Sequence, residues 1–195
     1  MNGYFNQYRK LLNDALDTVD QQSIERFEYQ LAHMARHGYP ILVCGNGGSA
    51  AITEHMSCDH TKGVASDTNL LPFMIPLQSN VSLCTAIGND VGYDSIFSKQ
   101  IIWFPNKTPF GVLVVSSSGN SPNIINALYA ARNKGIPTMA MVGFDGGLAK
   151  DIANVCIHVK SDNYGVVEDA HQIIMHSMAQ SIRIRHSIKE SPLKL

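Results

Sequence analysis

Apolar residues recur at helical spacing from the start of the chain. Tyr4, Tyr8, Leu11, Leu12, Ala15 and Val19 mark one face of a first helix. Ile24, Phe27, Leu31, Met34 and Ala35 mark a second, which Gly38 stops. From Tyr39 onward the pattern changes. Short apolar runs at 40–44, 72–77, 111–115, 137–142 and 154–159 predict strands. Helical stretches are predicted between and after them, at about 49–61, 80–88, 93–101, 121–134, 146–152 and 165–187. Ser121 and Pro122 give a helix start with serine at N-cap and proline at N1, and Gly135 followed by Pro137 closes that helix. Strands alternating with helices predict an α/β fold, a parallel sheet with helices on both faces. The chain of 195 residues reads as a single domain, 1–195, with N-terminal helices over about 1–37 and an αβα core over about 39–187. The two leading helices must bury a face, either in a subunit interface or on the domain itself.

Two loops then stand out. Gly45-Asn46-Gly47-Gly48-Ser49 follows the run Ile41-Leu42-Val43-Cys44. The loop from Ser116 to Ser121 follows Gly111-Val112-Leu113-Val114-Val115 and carries four serines in six residues. Each leaves a strand and enters a helix, where free N–H groups stabilise an anion. In a parallel sheet ligands bind beyond the carboxyl ends of the strands, the edge both loops occupy. A phosphorylated ligand is the expectation.

Composition narrows the classes. The chain is 45% hydrophobic and 16% charged, as expected of an ordered globule. A net charge of −1 argues against a general nucleic-acid surface, and the basic stretch 183–194 reads as a solvated helix end. No run of about 18 apolar residues predicts a membrane span, and the polar 4–19 segment does not read as a secretory leader. Cys44, Cys58, Cys84 and Cys156 lie far apart and read as reduced core residues of a cytoplasmic protein.

Gly45-x-Gly47-x-x-Ala50 fits a dinucleotide fingerprint, but weakly. Asp67 has the spacing of a ribose-binding acid, yet it falls in a polar loop before the second strand. No Gly-Lys-Ser/Thr follows either loop, so the Walker pattern is absent.

Three blocks together carry a resemblance: Gly45-Asn46-Gly47-Gly48-Ser49-Ala50-Ala51, then Thr85-Ala86-Ile87-Gly88-Asn89-Asp90-x-Gly92-Tyr93, then Ser118-Gly119-Asn120-Ser121-Pro122-Asn123. In order, they resemble the sugar isomerase (SIS) domain, and within it the phosphoheptose isomerases, over nearly the whole chain to about residue 187. The resemblance implies a three-layer αβα sandwich on a five-stranded parallel sheet, flavodoxin- or Rossmann-like. It implies a homotetramer with active sites between subunits. The implied reaction is aldose–ketose isomerisation of sedoheptulose 7-phosphate to D-glycero-D-manno-heptose 7-phosphate, which feeds heptose for lipopolysaccharide or capsule.

Position by position, the resemblance puts sugar contacts on Asn46, Gly47, Gly48, Asn89, Asp90, Ser116, Ser117, Ser118 and Ser121, with Ser49 joining the phosphate cradle. Ser117 stands where the family more usually has threonine. The family's zinc ligands fall on His55, Asp59, Glu168 and His176, with Asp59, Glu168 and His176 as the implied acid–base set. Asp59 replaces a glutamate and is shorter by roughly 1.5 Å of reach. Glu168 replaces a neutral glutamine and adds a negative charge. His55 and Asp59 at i,i+4 share a helix face, as do Glu168 and His176 at i,i+8 with Gln172 between them. Such a set could hold Zn²⁺.

His171 lies one position from that face and reads as an outer neighbour of the site. His33, His37, His60, His158 and His186 read as surface or structural residues. Trp103 and the stripe Ile173, Ile174, Met178 read as core. Two alternatives stay open: a SIS-domain protein that binds a phosphosugar without turning it over, and an isomerase of another phosphosugar.

Overall fold

The computed structural model describes residues 3–105 and 107–188, so Lys189 and Lys194 of the basic tail lie outside the described residues. Helices α1 (Tyr4–Leu16) and α2 (Gln21–His37) come first. Asp20 caps α2, its carboxylate accepting from the N–H groups of Gln22 and Ser23, and Gly38 ends it with a left-handed φ of 66°. Five strands follow: β1 (Ile41–Gly45), β2 (Met74–Pro76), β3 (Gly111–Ser116), β4 (Thr138–Val142) and β5 (Val155–His158). They form one parallel sheet in the order β2-β1-β3-β4-β5. The intervening helices are α3 (Gly48–Cys58), α4 (Val81–Asp90), α5 (Ser98–Trp103), α6 (Pro122–Asn133) and α7 (Gly147–Ile152), and α8 (Tyr164–Arg185) closes the chain.

Alternation along each strand builds two cores. Ile41, Val43, Leu113, Val115, Met139 and Met141 face a cluster shared with α1, α2, α3 and α8. Leu42, Cys44, Val112, Val114, Ala140 and Val142 face the cluster of α4 to α7. The sheet is therefore covered on both sides, which is why its strands read as unbroken apolar runs. The order in which the chain adds strands reverses between β1 and β3, which pair in parallel register from Ile41 opposite Gly111 to Gly45 opposite Val115. At that switch point no crossover helix blocks the carboxyl edge, and a crevice forms.

The leading helices pack on the domain. Tyr8, Leu12, Leu16 and Val19 lie against the first core, and the Tyr8 hydroxyl donates to Asp169 Oδ2 at 2.7 Å. Burial, then the bond to this carboxylate, pushes the Tyr8 pKa up to about 12. Tyr4 and Phe5 remain exposed on the other side.

Several expectations need correction. Trp103 is exposed, because it ends a short helix with its ring turned outward, and Ile173 is exposed while Ile174 and Met178 are buried. All four cysteines are free, but only Cys44 is buried and Cys58 is exposed at the end of α3. The stretch 49–61 is not one regular helix: α3 stops at Cys58, and Asp59–Gly63 winds as a π turn. That wider turn drives His60 into the core, its Nε2 3.3 Å from the Met175 carbonyl, and leaves Asp59 partly exposed beside His55 and His176. The stretch 93–101 likewise splits into a 3₁₀ turn, Tyr93–Ser95, and α5. Among the described residues no helix is long and apolar enough to cross a membrane.

Candidate active site

The first loop closes tightly onto α8. Gly47, at φ 54°, turns the chain from β1 into α3. Gly48 then lies under the Glu168 carboxylate, where any Cβ would overlap its oxygens. A glycine here lets a carboxylate from α8 sit on the loop backbone. Ser49 is buried in the first turn of α3.

The second loop is held by its own serines and by the first turn of α7. Ser116 Oγ accepts from Gly119 N–H at 3.1 Å and Ser118 Oγ from Asn120 N–H at 3.3 Å. Asn120 Oδ1 accepts from Leu148 N–H at 2.9 Å, and the Gly119 carbonyl accepts from Ala149 N–H at 2.9 Å. Ser117 Oγ is buried with no hydrogen-bond partner among the described residues. A buried hydroxyl left in this state is destabilising unless a ligand takes it. Ser121 occupies the N-cap of α6 as expected, with Pro122 behind it, but its hydroxyl makes no capping bond. It too is available at a helix N-terminus.

Asn46 ties the two loops together. Its Nδ2 donates to Asn123 Oδ1 at 2.9 Å, and its Oδ1 accepts from Asn123 Nδ2 at 2.9 Å. The Tyr93 hydroxyl donates to Asn46 Oδ1 at 3.0 Å. Tyr93 thereby draws the end of α4 toward the first loop, where Asn89 Nδ2 donates to Asp90 Oδ1 at 2.7 Å. Neither Tyr93 nor Asn123 was singled out from the sequence, although both stand inside the blocks that carry the resemblance.

α3 and α8 bring the imidazoles together. His55 Nε2, Asp59 Oδ2 and His176 Nε2 form a triangle with sides of 3.7, 3.3 and 3.5 Å. Four tetrahedral ligands at the usual zinc distances of about 2.0–2.1 Å are separated by about 3.3–3.4 Å. With sides of 3.3 to 3.7 Å the triangle is slightly wider than one face of such a tetrahedron, and its donors, two imidazoles and a carboxylate, are of the type that binds zinc. These three residues form the group able to hold a metal ion among the described residues.

Glu168 is not part of that group; its carboxylate lies at Gly48 instead. Gln172, one turn further along α8, takes the place beside the imidazoles. Its Nε2 is 2.7 Å from His55 Nδ1 and 3.3 Å from His176 Nε2. The i,i+4 spacing of Gln172 and His176 was the signal that could have placed it.

His171 turns away from the site. It is fully buried, and among the described residues neither ring nitrogen makes a well-formed hydrogen bond, although the Val142 carbonyl lies close by. Burial pulls its pKa down to about 4, against a smaller opposing pull from Val142. His158 Nε2 lies 2.9 Å from the Phe144 carbonyl, a structural contact as expected.

The site's parts thus form one connected set. Asn123, in the first turn of α6 behind Ser121, bonds to Asn46; the loop runs from Asn46 to Gly48, and Gly48 lies under Glu168. α8 then runs on to Gln172 and His176, which meet His55 and Asp59. The arrangement offers hydroxyls and helix N-termini for an anion, a cation-holding triangle, and a separate carboxylate.

Comparison with known proteins points the same way. A family described as the SIS domain matches residues 3–143. A phosphoheptose isomerase of Aliarcobacter butzleri is 33% identical over 178 residues, covering 91% of this chain and 93% of the relative. One from a Geobacter species is 41% identical over 143 residues, covering 72% of each. The structure of a phosphoheptose isomerase from Francisella tularensis superimposes with a TM-score of 0.82 at 27% identity, covering 93% of this chain and 95% of that one.

Proposed function

Because this chain belongs to the SIS domain family, on its phosphoheptose isomerase branch, we propose that it is an aldose–ketose isomerase acting on sedoheptulose 7-phosphate. The product is D-glycero-D-manno-heptose 7-phosphate, made in the cytoplasm for the heptose of a surface polysaccharide. The observation that carries this reading is the division of labour around α8. One carboxylate, Glu168, sits on the first loop, apart from the triangle of His55, Asp59 and His176.

In this reading the second loop binds the phosphate. The unpartnered Ser117 hydroxyl, the uncommitted Ser121 hydroxyl and the N-terminus of α6 are its donors, with Ser116 and Ser118 beside them. Fixing the phosphate end orients the distant carbonyl end. Asn46, Gly47 and Gly48, with Asn89 and Asp90, take the sugar hydroxyls, and Ser49, in the first turn of α3, joins the phosphate cradle. His55, Asp59 and His176 would hold Zn²⁺, which when bound would polarise the C2 carbonyl.

Glu168 is then the base. A nitrogen that holds a cation cannot also carry a proton, which removes His176 Nε2 from that duty. Glu168 takes a proton from C1 to give the cis-enediol and returns it to C2, while the hydroxyl proton passes from O1 to O2. The net change moves the carbonyl from C2 to C1 with no outside reactant. General acid–base catalysis of this type contributes roughly 10²–10⁴-fold.

The assembly we propose is a homotetramer with sites at subunit boundaries. Tyr4 and Phe5 on α1 and Ile173 on α8, all exposed in the single chain, support a contact face near the site.

The test is a proton-exchange measurement on sedoheptulose 7-phosphate in deuterated water, followed by NMR. Deuterium at C2 of the aldose and at C1 of recovered ketose supports the reading. No exchange by zinc-loaded protein, with binding intact, would assign the chain to phosphosugar sensing instead.

A further inference from the structure

We infer that Gln172 is a positioning residue that sets the tautomer of His55, so that the Nε2 lone pair faces the Asp59–His176 side. The inference rests on reading the triangle as a cation site. His55 presents its two ring nitrogens in different directions: Nε2 to Asp59 and His176, and Nδ1 to the Gln172 amide at 2.7 Å. A neutral imidazole has one N–H and one lone pair. If Nε2 ligates a cation, Nδ1 must carry the proton and needs an acceptor.

Gln172 can supply one. Its amide oxygen and nitrogen exchange places by a half-turn about the terminal torsion. Oε1 then stands where Nε2 does now, within hydrogen-bond distance of His55 Nδ1. Without a cation, Nδ1 is the acceptor, Nε2–H points toward the Asp59 carboxylate, and the amide nitrogen is the correct partner for Nδ1. One side chain therefore serves both states, whereas a carboxylate or an ammonium at position 172 would serve only one. Among the described contacts Gln172 alone reaches His55 Nδ1 and His176 Nε2 together. The rule behind the expected effect is general: a ligating histidine donates its other N–H to a fixed acceptor, and loss of that acceptor weakens metal binding 10–100-fold.

The experiment compares wild type, Gln172→Met and Gln172→Glu after chelation and dialysis. Methionine keeps the volume and helix propensity of glutamine without the acceptor; glutamate keeps the acceptor. Zn²⁺ affinity is read by competition with a chromophoric chelator. The ring nitrogens of His55 are read by long-range proton–nitrogen NMR in the zinc-loaded protein, and circular dichroism confirms the fold. We expect affinity about 10–100-fold lower for Gln172→Met and not lower than wild type for Gln172→Glu. The protected Nδ1–H signal of His55 should vanish in the methionine variant alone. Equal zinc affinity and an unchanged Nδ1–H in Gln172→Met would overturn the inference by itself, as would failure of glutamate to restore affinity. A wild-type protein that binds no zinc would overturn the cation reading first, and this inference with it.

Discussion

Asn46 and Asn123 exchange two amide hydrogen bonds, each 2.9 Å long, across the point between β1 and β3 where the strand order reverses. Asn123 is 2% exposed, so this pair is a buried polar joint between the two ligand loops. One of the two N–H bonds on Asn46 Nδ2 is spent on Asn123, and the other is left for a ligand oxygen. Asn123→Ala should destabilise the fold by about 1–3 kcal/mol, because a buried amide loses its partner. It should also raise KM, because Asn46 is then free to turn. Tyr93→Phe removes a single bond at an exposed position. It should leave stability within about 0.5 kcal/mol and raise KM roughly 2–10-fold. Urea melts and steady-state kinetics on the two variants check both; an unchanged KM in each would mean that Asn46 does not touch substrate.

Glu168 and Ser118 should fail differently. Glu168→Gln removes the proposed base with little change in shape, so turnover should fall roughly 10²–10⁴-fold with KM altered much less. Ser118→Ala should act mainly on KM, because the phosphate contacts it joins are made equally in ground and transition states. Small, equal effects from both would remove this site from the chemistry.

The sheet, its two layers and the loops were legible in the sequence because strand runs such as 111–115 are apolar throughout and end at glycine- and serine-rich turns. His55, Asp59 and His176 were legible too, since i,i+4 spacing and a resemblance agreed on them. The split between Glu168 and Gln172 was not. Both lie on one helix face, and only the docking angle of α8 on the first loop decides that the first meets Gly48 and the second meets His55. The π turn at Asp59 was equally hidden, because it depends on His60 finding the Met175 carbonyl, 115 residues away in sequence. Trp103 misled for a related reason: composition says that tryptophan is usually buried, but the last turn of α5 faces outward.

Chelation followed by dialysis should lower turnover, and Zn²⁺ should restore it. His55→Ala removes one corner of the triangle. It should lose both bound zinc, measured by elemental analysis, and the ability to be restored. Restoration of His55→Ala at the wild-type zinc concentration would show that the cation binds elsewhere.

His171 makes acid stability a direct readout of its burial. Its folded pKa of about 4 lies below the ordinary 6.5, because burial disfavours the charged ring. The native state keeps it neutral while the unfolded chain takes up a proton. Its contribution is therefore complete above pH 6.5 and is lost as pH falls from there toward 4, by up to about 1.4 kcal/mol per pH unit. His171→Leu has no such proton to exclude. Between pH 7 and pH 5, wild type should lose about 2 kcal/mol more than the variant in urea unfolding. Parallel losses would mean that the ring is solvated or charged in the native protein.

The four thiols should separate by reactivity. Cys44 is fully buried, and burial pushes its pKa well up; burial also raises Cys156, to about 11. Cys84 is half-buried, its Sγ 3.3 Å from the Leu77 carbonyl and its pKa also raised by burial. Cys58 is exposed at the end of α3, one residue before Asp59. A thiol reagent at neutral pH should therefore modify one cysteine in a fast phase, which peptide mapping assigns to Cys58 and which Cys58→Ser abolishes. If Cys58 is instead shielded in the intact protein and becomes reactive only on dilution, the end of α3 lies in a subunit contact. That result would place the triangle of His55, Asp59 and His176 at the boundary between protomers, where a site shared between subunits must be.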